Sequence, residues 1–267
     1  TLNLNEVYGD GKHFLIGNPF MSNLDMEEFF KINGNEEEGQ GKLVKTYWVL
    51  KDGAPSATVV GTPDVEFGNG EDGDGIVEPM QAFFVELDGE LNATNSTVIF
   101  TPEMMITTKK SQEVPSTKSA SAVNPIITLT AERGDMRSVA RLITSDKADN
   151  NYKESEDAVV LLDSELDAPM VYSVAGNRAA QVNALRSIDN IPVGVYNSRK
   201  GDVTVMIEGM ARSICMMLIH ARAHCWKGIA IRWKSPAKVM DATICAVPLS
   251  EVWGIMRSRS IRCKVAR

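Results

Sequence analysis

The sequence predicts a mainly β protein made of two tandem antiparallel β-sandwich-like domains, the first carrying one short helix at about residues 22–33. Three observations lead there. Short β-branched or aromatic runs recur along most of the chain, and turn residues separate them. Strands do not alternate with long helical patterns, so the grammar is strand-turn-strand rather than βαβ. A Ser/Thr/Lys-rich stretch with little apolar periodicity, 107–124, divides the β-rich text into 1–106 and 125–210. With 267 residues, 43% of them hydrophobic, the chain is long enough for two ordinary cores.

Taken in order, "HFLIGNPFM" (His13–Met21) reads as a short strand stopped by Asn-Pro. "SNLDMEEFFKING" follows as the one helix. Ser22 is placed to cap it, Asp25 completes a capping-box pattern, and Gly34 supplies a left-handed stop. Met26, Phe29 and Phe30 share one face and read as core. Strands are expected in "KTYWVL", "ATVVG", "MQAFFVEL" and "STVIFT", with turns at "KDGAP" and "GNGEDGDG". Beyond the linker, strands are expected in "IITLTAE", "SVARLIT", "AVVLLD", "MVYSVAG", "VGVYN" and "DVTVMIEG". "NRAAQVNALRSIDNIP" (Asn177–Pro192) reads as a place for a helical turn.

The charge of -7 is unevenly distributed. From Ala211 to Arg267 there are 11 Lys+Arg and 2 Asp+Glu, a net of +9; the preceding 210 residues carry 17 basic and 33 acidic side chains, a net of -16. All four cysteines (Cys215, Cys225, Cys245, Cys263) and three of the four tryptophans lie in this tail. An acidic body should repel nucleic acid and anionic membranes. No run approaches the roughly 18 apolar residues of a membrane span. A signal peptide, if one exists, is expected to have been removed or to lie upstream of Thr1.

Few residues suggest chemistry. Gly68–Gly73 matches G-x-G-x-x-G by letters, yet Glu71, Asp72 and Asp74 would repel a pyrophosphate and a strand follows. Asp72, Asp74 and Glu78 form a calcium candidate, because hard cations take clustered oxygens; a solvated hairpin is the competing reading. The acidic loop Ser145–Asp157 poses the same choice. His13 is the body's one histidine and reads as a hydrogen-bonded structural residue. No Ser/His/Asp arrangement appears, and a spatially paired carboxylate site of glycosidase type stays open. Tyr47 and Trp48, with Phe83 and Phe84, are candidate rings for stacking on a glycan, although alternation turns about half of each pair inward. Sequons at Asn92 and Asn95 mark an exposed polar turn. In the tail, His220 and His224 with Cys215 or Cys225 have the letters of a zinc set but lack a C-x-x-C partner. The tail's Trp and basic residues invite a nucleic-acid reading, but no such module surrounds them.

Together, "FLIGNPFMSNLDMEEFF", "YWVLKDG", "VEPMQAFFVEL" and "VIFTPEM" resemble a module of large secreted and cell-surface proteins of Bacteroidetes. "ITLTAERG", "ESEDAVVLLDSELDAPMVYSVAGNRAAQVNAL" and "NIPVGVY" are similar to the β-sandwich module that follows it there. The resemblance covers about residues 10–210. It implies a position near the C-terminus of a larger type IX-secreted polypeptide, an extracellular or outer-membrane surface location, and no established catalytic residues. Upstream domains of the same polypeptide, a glycan or a host surface protein are the partners it implies.

The tail departs from that family. Its second module ends in segments like "LYLYDA", "GDSY" and "GRYYL", none of which follows "GDVTVMIEG" here. Joining the third base of each codon to the first two of the next makes several letters obligatory. Trp226-Lys227 and Trp233-Lys234 give Glu, Met216-Met217 gives Asp, and Met240-Asp241 gives Gly. A permitted shifted translation contains all three missing segments in order. Residues 211–267 are therefore read as out of frame, with little order expected after about residue 210.

Overall fold

The structure, a computed structural model, describes residues 1–35, 42–60, 75–92, 95–106, 126–163, 165–187, 191–199 and 202–208. It also describes the backbone of three strands beyond them, 213–220, 229–234 and 241–248. The chain is mainly β, its strand pairs are mostly antiparallel, and one α-helix stands among the described residues. It divides into two units: Thr1–Leu50 with Ala57–Val123, and Lys51–Ser56 with Asn124–Arg267. No helix among the described residues is long and apolar enough to cross a membrane.

The first unit contains β1 (Leu2–Asn3), β2 (His13–Gly17), β3 (Asn23–Asp25), α1 (Met26–Asn33), β4 (Leu43–Lys51) as far as Leu50, β5 (Ala54–Val59) from Ala57 on, β6 (Ile76–Val77), β7 (Ala82–Leu87), β8 (Thr97–Val98) and β9 (Met105–Ile106); the β4–β5 tip, Lys51–Ser56, belongs to the second unit. Its main sheet runs β2-β7-β4-β5, with a small sheet β6-β3-β9 and the pair β1-β8. The register sets His13 opposite Glu86 and Leu15 opposite Phe84. Successive side chains of a strand face opposite ways, so β7 sends Phe83, Val85 and Leu87 into a core shared with Phe14, Ile16 and Tyr47. The helix closes that core with Met26, Phe29 and Phe30, and Phe29 meets Phe83 edge-to-face at 5.8 Å.

The helix differs from expectation at both ends. It starts at Met26, because Asn23–Asp25 pairs with β6 and β9 instead. Asp25 is itself the cap, its Oδ1 accepting the N–H groups of Glu27 at 3.0 Å and Glu28 at 3.3 Å. Gly34 stops the helix at φ -80, in extended rather than left-handed backbone. Glycine is needed there for closeness: a Cβ would lie 2.5 Å from the carbonyl oxygen of Phe30. By contrast Asp52-Gly53, the tip between β4 and β5, has φ 50 and 79, as a tight Asp-Gly hairpin requires.

The second unit holds β10 (Ile126–Arg133), β11 (Met136–Thr144), β12 (Ala158–Val159), β13 (Met170–Ala175), β14 (Arg178–Leu185), β15 (Val193–Tyr196), β16 (Val203–Glu208), β17 (Ser213–His220), β18 (Ile229–Lys234) and β19 (Asp241–Pro248). The large sheet runs β15-β13-β14-β11-β10-β16-β18, with β12 on β14. Ile127, Leu129 and Ala131 of β10 join Val203, Val205 and Ile207 of β16 in one apolar cluster. Met170 and Tyr172 belong to another cluster, while Val171 between them belongs to the first, so this sheet is apolar on both faces. Gly194 lies opposite Tyr172. A Cβ there would sit 2.3 Å from the ring, which fixes glycine at that position.

Two expectations change here. Arg178–Leu185 is a strand near the middle of the sheet, where a helical turn was expected. Ala and Gln have good helix propensity, but burial along Ala180–Leu185 overrides it. The unit is also not purely antiparallel: β11 runs parallel to β14, with β12 and β13 in the connection. Among the described residues, strand pairing continues beyond Gly209. There β18 runs parallel to β16 and β17 runs parallel to β19. Ladders join backbone groups that every residue carries, so apolar runs such as "SICMMLIH" can pair whatever their origin.

Candidate functional site

Among the described residues of the first unit, a group of titratable side chains surrounds His13 at the start of β2. Asp10 makes the turn into that strand. Its Oδ1 accepts the N–H groups of Lys12 at 2.8 Å and His13 at 2.6 Å, and its Oδ2 lies 3.0 Å from His13 Nδ1. Partial burial acts to raise the Asp10 carboxyl, but these bonds from His13 and Lys12 outweigh it and hold it below 3.8. The tautomer that donates Nδ1–H to Asp10 leaves Nε2 facing Glu86 Oε2 at 3.9 Å. Glu86, 1% exposed, is charge-paired through Oε1 with Lys12 Nζ at 2.7 Å. The His13 ring meets Trp48 edge-on, centroids 5.7 Å apart. Chemically, Lys12 and Glu86 form an ion pair at the start of the strand, and His13 is hydrogen-bonded to Asp10 as a structural residue would be.

The second unit's ionisable feature is Asp157, in the loop proposed from sequence as a calcium candidate. Its Oδ1 accepts the Ala184 N–H and its Oδ2 the Lys153 N–H, both at 2.7 Å. Burial pushes its carboxyl up to about 7, against the pull of those two bonds. Nearby, Asp149 is turned to its own loop, where the N–H of Asn151 holds its carboxyl below the ordinary value. Arg178 lies over the Tyr152 ring at 4.6 Å, with its guanidinium 3.6 Å from Glu154. Among the described residues, no group of three or more His, Cys, Asp and Glu is placed to hold a metal.

A polar network crosses the middle of the same unit. Gln181 donates to the carbonyls of Pro55 at 2.7 Å and Val139 at 3.0 Å, and Asn183 donates to Ser173 Oγ at 2.9 Å. Sequence reasoning passed over these residues because nothing in "AAQVNAL" marks its amides as buried.

The expected site residues fare as follows. Tyr47 and Trp48 are 1% and 0% exposed, so neither presents a face to a sugar, and the glycan-stacking assignment for this pair is corrected. Both faces of β4 are covered here, so alternation does not send either ring to solvent. Phe83 is buried and Phe84 half-buried. Glu78 is exposed, its backbone held by Asn18 and Gln81, while Asp72, Asp74 and Gly68–Gly73 lie outside the described residues. The 107–124 linker, His224 and Cys225 also lie outside them; Cys215 and His220 are placed only as backbone of β17. Asn92 is exposed and Asn95 half-buried in a turn that both side chains close on the Glu90 carbonyl.

No family model, curated protein or solved structure matches the chain.

Proposed function

We propose that the chain is a non-catalytic structural or adhesion module of a larger secreted bacterial protein, held outside the cell or on the outer membrane. The observation that carries this reading is where the chemistry-bearing side chains go. His13, Glu86 and Asp157 are engaged in turns, ion pairs and strand contacts that hold the fold. The sequence resemblance over about residues 10–210 supports the surface location. Its acidic body supports a role away from nucleic acid.

The test is protease shaving of intact cells that make the full-length protein, followed by detection of peptides from residues 1–106. Release of these peptides without lysis is expected; their retention inside the cell would sink the location. Turnover of a broad glycoside panel by purified protein would sink the non-catalytic reading. A carbohydrate-binding role would need a different ring from Trp48. Tyr8, 76% exposed, is the candidate, and glycan-array binding lost in Tyr8→Ala would establish it.

Residues 211–267 receive no function in this proposal, because their charge, cysteine and tryptophan content all change where the family's closing strands are missing. The encoding nucleotide sequence tests that. A single-base slip near codon 210 must restore an open frame spelling those strands, or the idea fails.

A further inference from the structure

Apolar side chains exposed singly over a surface need no explanation, whereas a group of them marks a place where something docks. Among the described residues seven large ones are exposed, and four of these, Met21, Ile32, Met80 and Ile99, are tied together through two buried asparagines of the first unit. Asn18, 3% exposed, binds the turn of Met21 to the turn of Met80. Its Nδ2 donates to the carbonyls of Ser22, Val77 and Glu78, and its Oδ1 accepts the Phe20 N–H at 2.9 Å. Its own N–H goes to the Gln81 carbonyl at 3.0 Å. Asn33, beside Ile32 at the end of α1, exchanges two hydrogen bonds with the backbone of Ile99, at 2.8 and 2.9 Å. The half-buried rings of Phe20 and Phe100 bridge these two knots, edge to face at 6.2 Å. Met21 thus continues through Phe20, Phe100 and Ile99 to Ile32.

Two further features bear on this strip. Met80 is held at φ 58 with its thioether 74% exposed, and strained backbone of that kind points to a function at the position. The other feature is charge. Residues 14–30 and 52–108 supply the whole strip except Ile32, and they contain 14 acidic side chains and no Lys or Arg. Of these acids, Glu78 and Glu103 are exposed close to Met80 and Phe100 in the chain. Lys31, next to Ile32, is paired with Glu28.

We propose that this strip is a docking surface for a basic protein segment, one whose apolar anchors are flanked by Lys or Arg. A second copy of the chain or an anionic membrane brings like charge and is repelled. A segment with lysine or arginine beside its apolar residues meets both features at once. The rings and thioethers take its anchors, the unbranched methionines adapting to their shape, while the acidic surroundings steer and orient it. Asn18 and Asn33 fix the two knots before a partner arrives, so little conformational freedom is lost on docking. The inference concerns what the first unit binds and holds wherever the protein is displayed.

The test is titration of the full chain at low salt with a fluorescein-labelled amphipathic peptide of leucine and lysine, read by anisotropy, beside the same peptide with glutamate in place of lysine. Saturable binding of the lysine peptide alone is expected, weakened by added salt. In the double variant Met21→Ser, Met80→Gly its Kd is expected to rise at least about tenfold, and in Ile99→Ser about threefold. In Leu50→Ser, which removes a side chain 60% exposed outside the strip, Kd is expected to stay unchanged. Glycine relieves the strained turn at position 80, so the lost binding is not a lost fold, which thermal melts check. Absence of binding, an equal loss in Leu50→Ser, or full affinity in the double variant overturns the proposal. It is also overturned if the wild type dimerises in sedimentation, or floats with phosphatidylcholine vesicles, in a way the double variant abolishes. The surface would then belong to a second copy or to lipid.

Discussion

Met80 has φ 58 and a side chain 74% exposed, a left-handed conformation in which an unbranched apolar residue has no compensating local bond. Asn18 holds the surrounding turn, its Nδ2 donating to the carbonyls of Ser22, Val77 and Glu78 between 2.9 and 3.1 Å. The strain therefore comes from the turn and not from packing of Met80. Glycine removes a cost of about 1–2 kcal/mol, while its freer unfolded chain returns about 0.5–1 kcal/mol. Met80→Gly is expected to stabilise the first unit by about 0.5–1 kcal/mol, read from denaturant midpoints at an unchanged m-value. An equal or lower midpoint would show that the side chain makes contacts of its own. No pattern in "VEPMQAFF" reveals this strain, because a single sequence carries no φ angles. His13 was legible in kind, as a hydrogen-bonded residue beside a strand, while its partner Asp10 was not read from the sequence.

At the level of elements, the helix start shows both the reach and the limit of local signals. Ser22 and Asp25 both have cap chemistry, and only pairing of Asn23–Asp25 with two strands decides for Asp25. Asp25→Ala is expected to cost about 0.5–2 kcal/mol, because two N–H groups lose their acceptor, and Asp25→Asn should recover most of it. Thermal melts of the two variants check this; an Asn variant no better than Ala would remove the cap argument. Ser22→Ala should change little. The Asp-Gly hairpin tip at Asp52-Gly53 was readable because its backbone demand is local. β14 was not, because Gln181 and Asn183 look solvent-seeking until Pro55, Val139 and Ser173 are brought beside them by residues far along the chain.

For the whole molecule, the composition boundary and the two contact units invite a question about cooperativity. The first 106 residues carry 5 basic and 19 acidic side chains, a net of -14, on one small core built around Phe29, Phe83 and Tyr47. The second unit depends on a sheet apolar on both faces, whose larger cluster contains Leu129 at 0% exposure. Deleting that side chain leaves a cavity that close-packed neighbours fill only partly, at a cost of about 2–5 kcal/mol. If each core supports its own unit, Leu129→Ala raises exchange rates at Ala131 and Val205 and leaves Phe83 and Val85 unchanged. Phe29→Ala then does the reverse. Equal acceleration of all four amides in both variants would show one cooperative fold and not two independent cores. Because each ladder shares its amides between adjacent strands, the comparison reads whole elements and does not depend on any one bond.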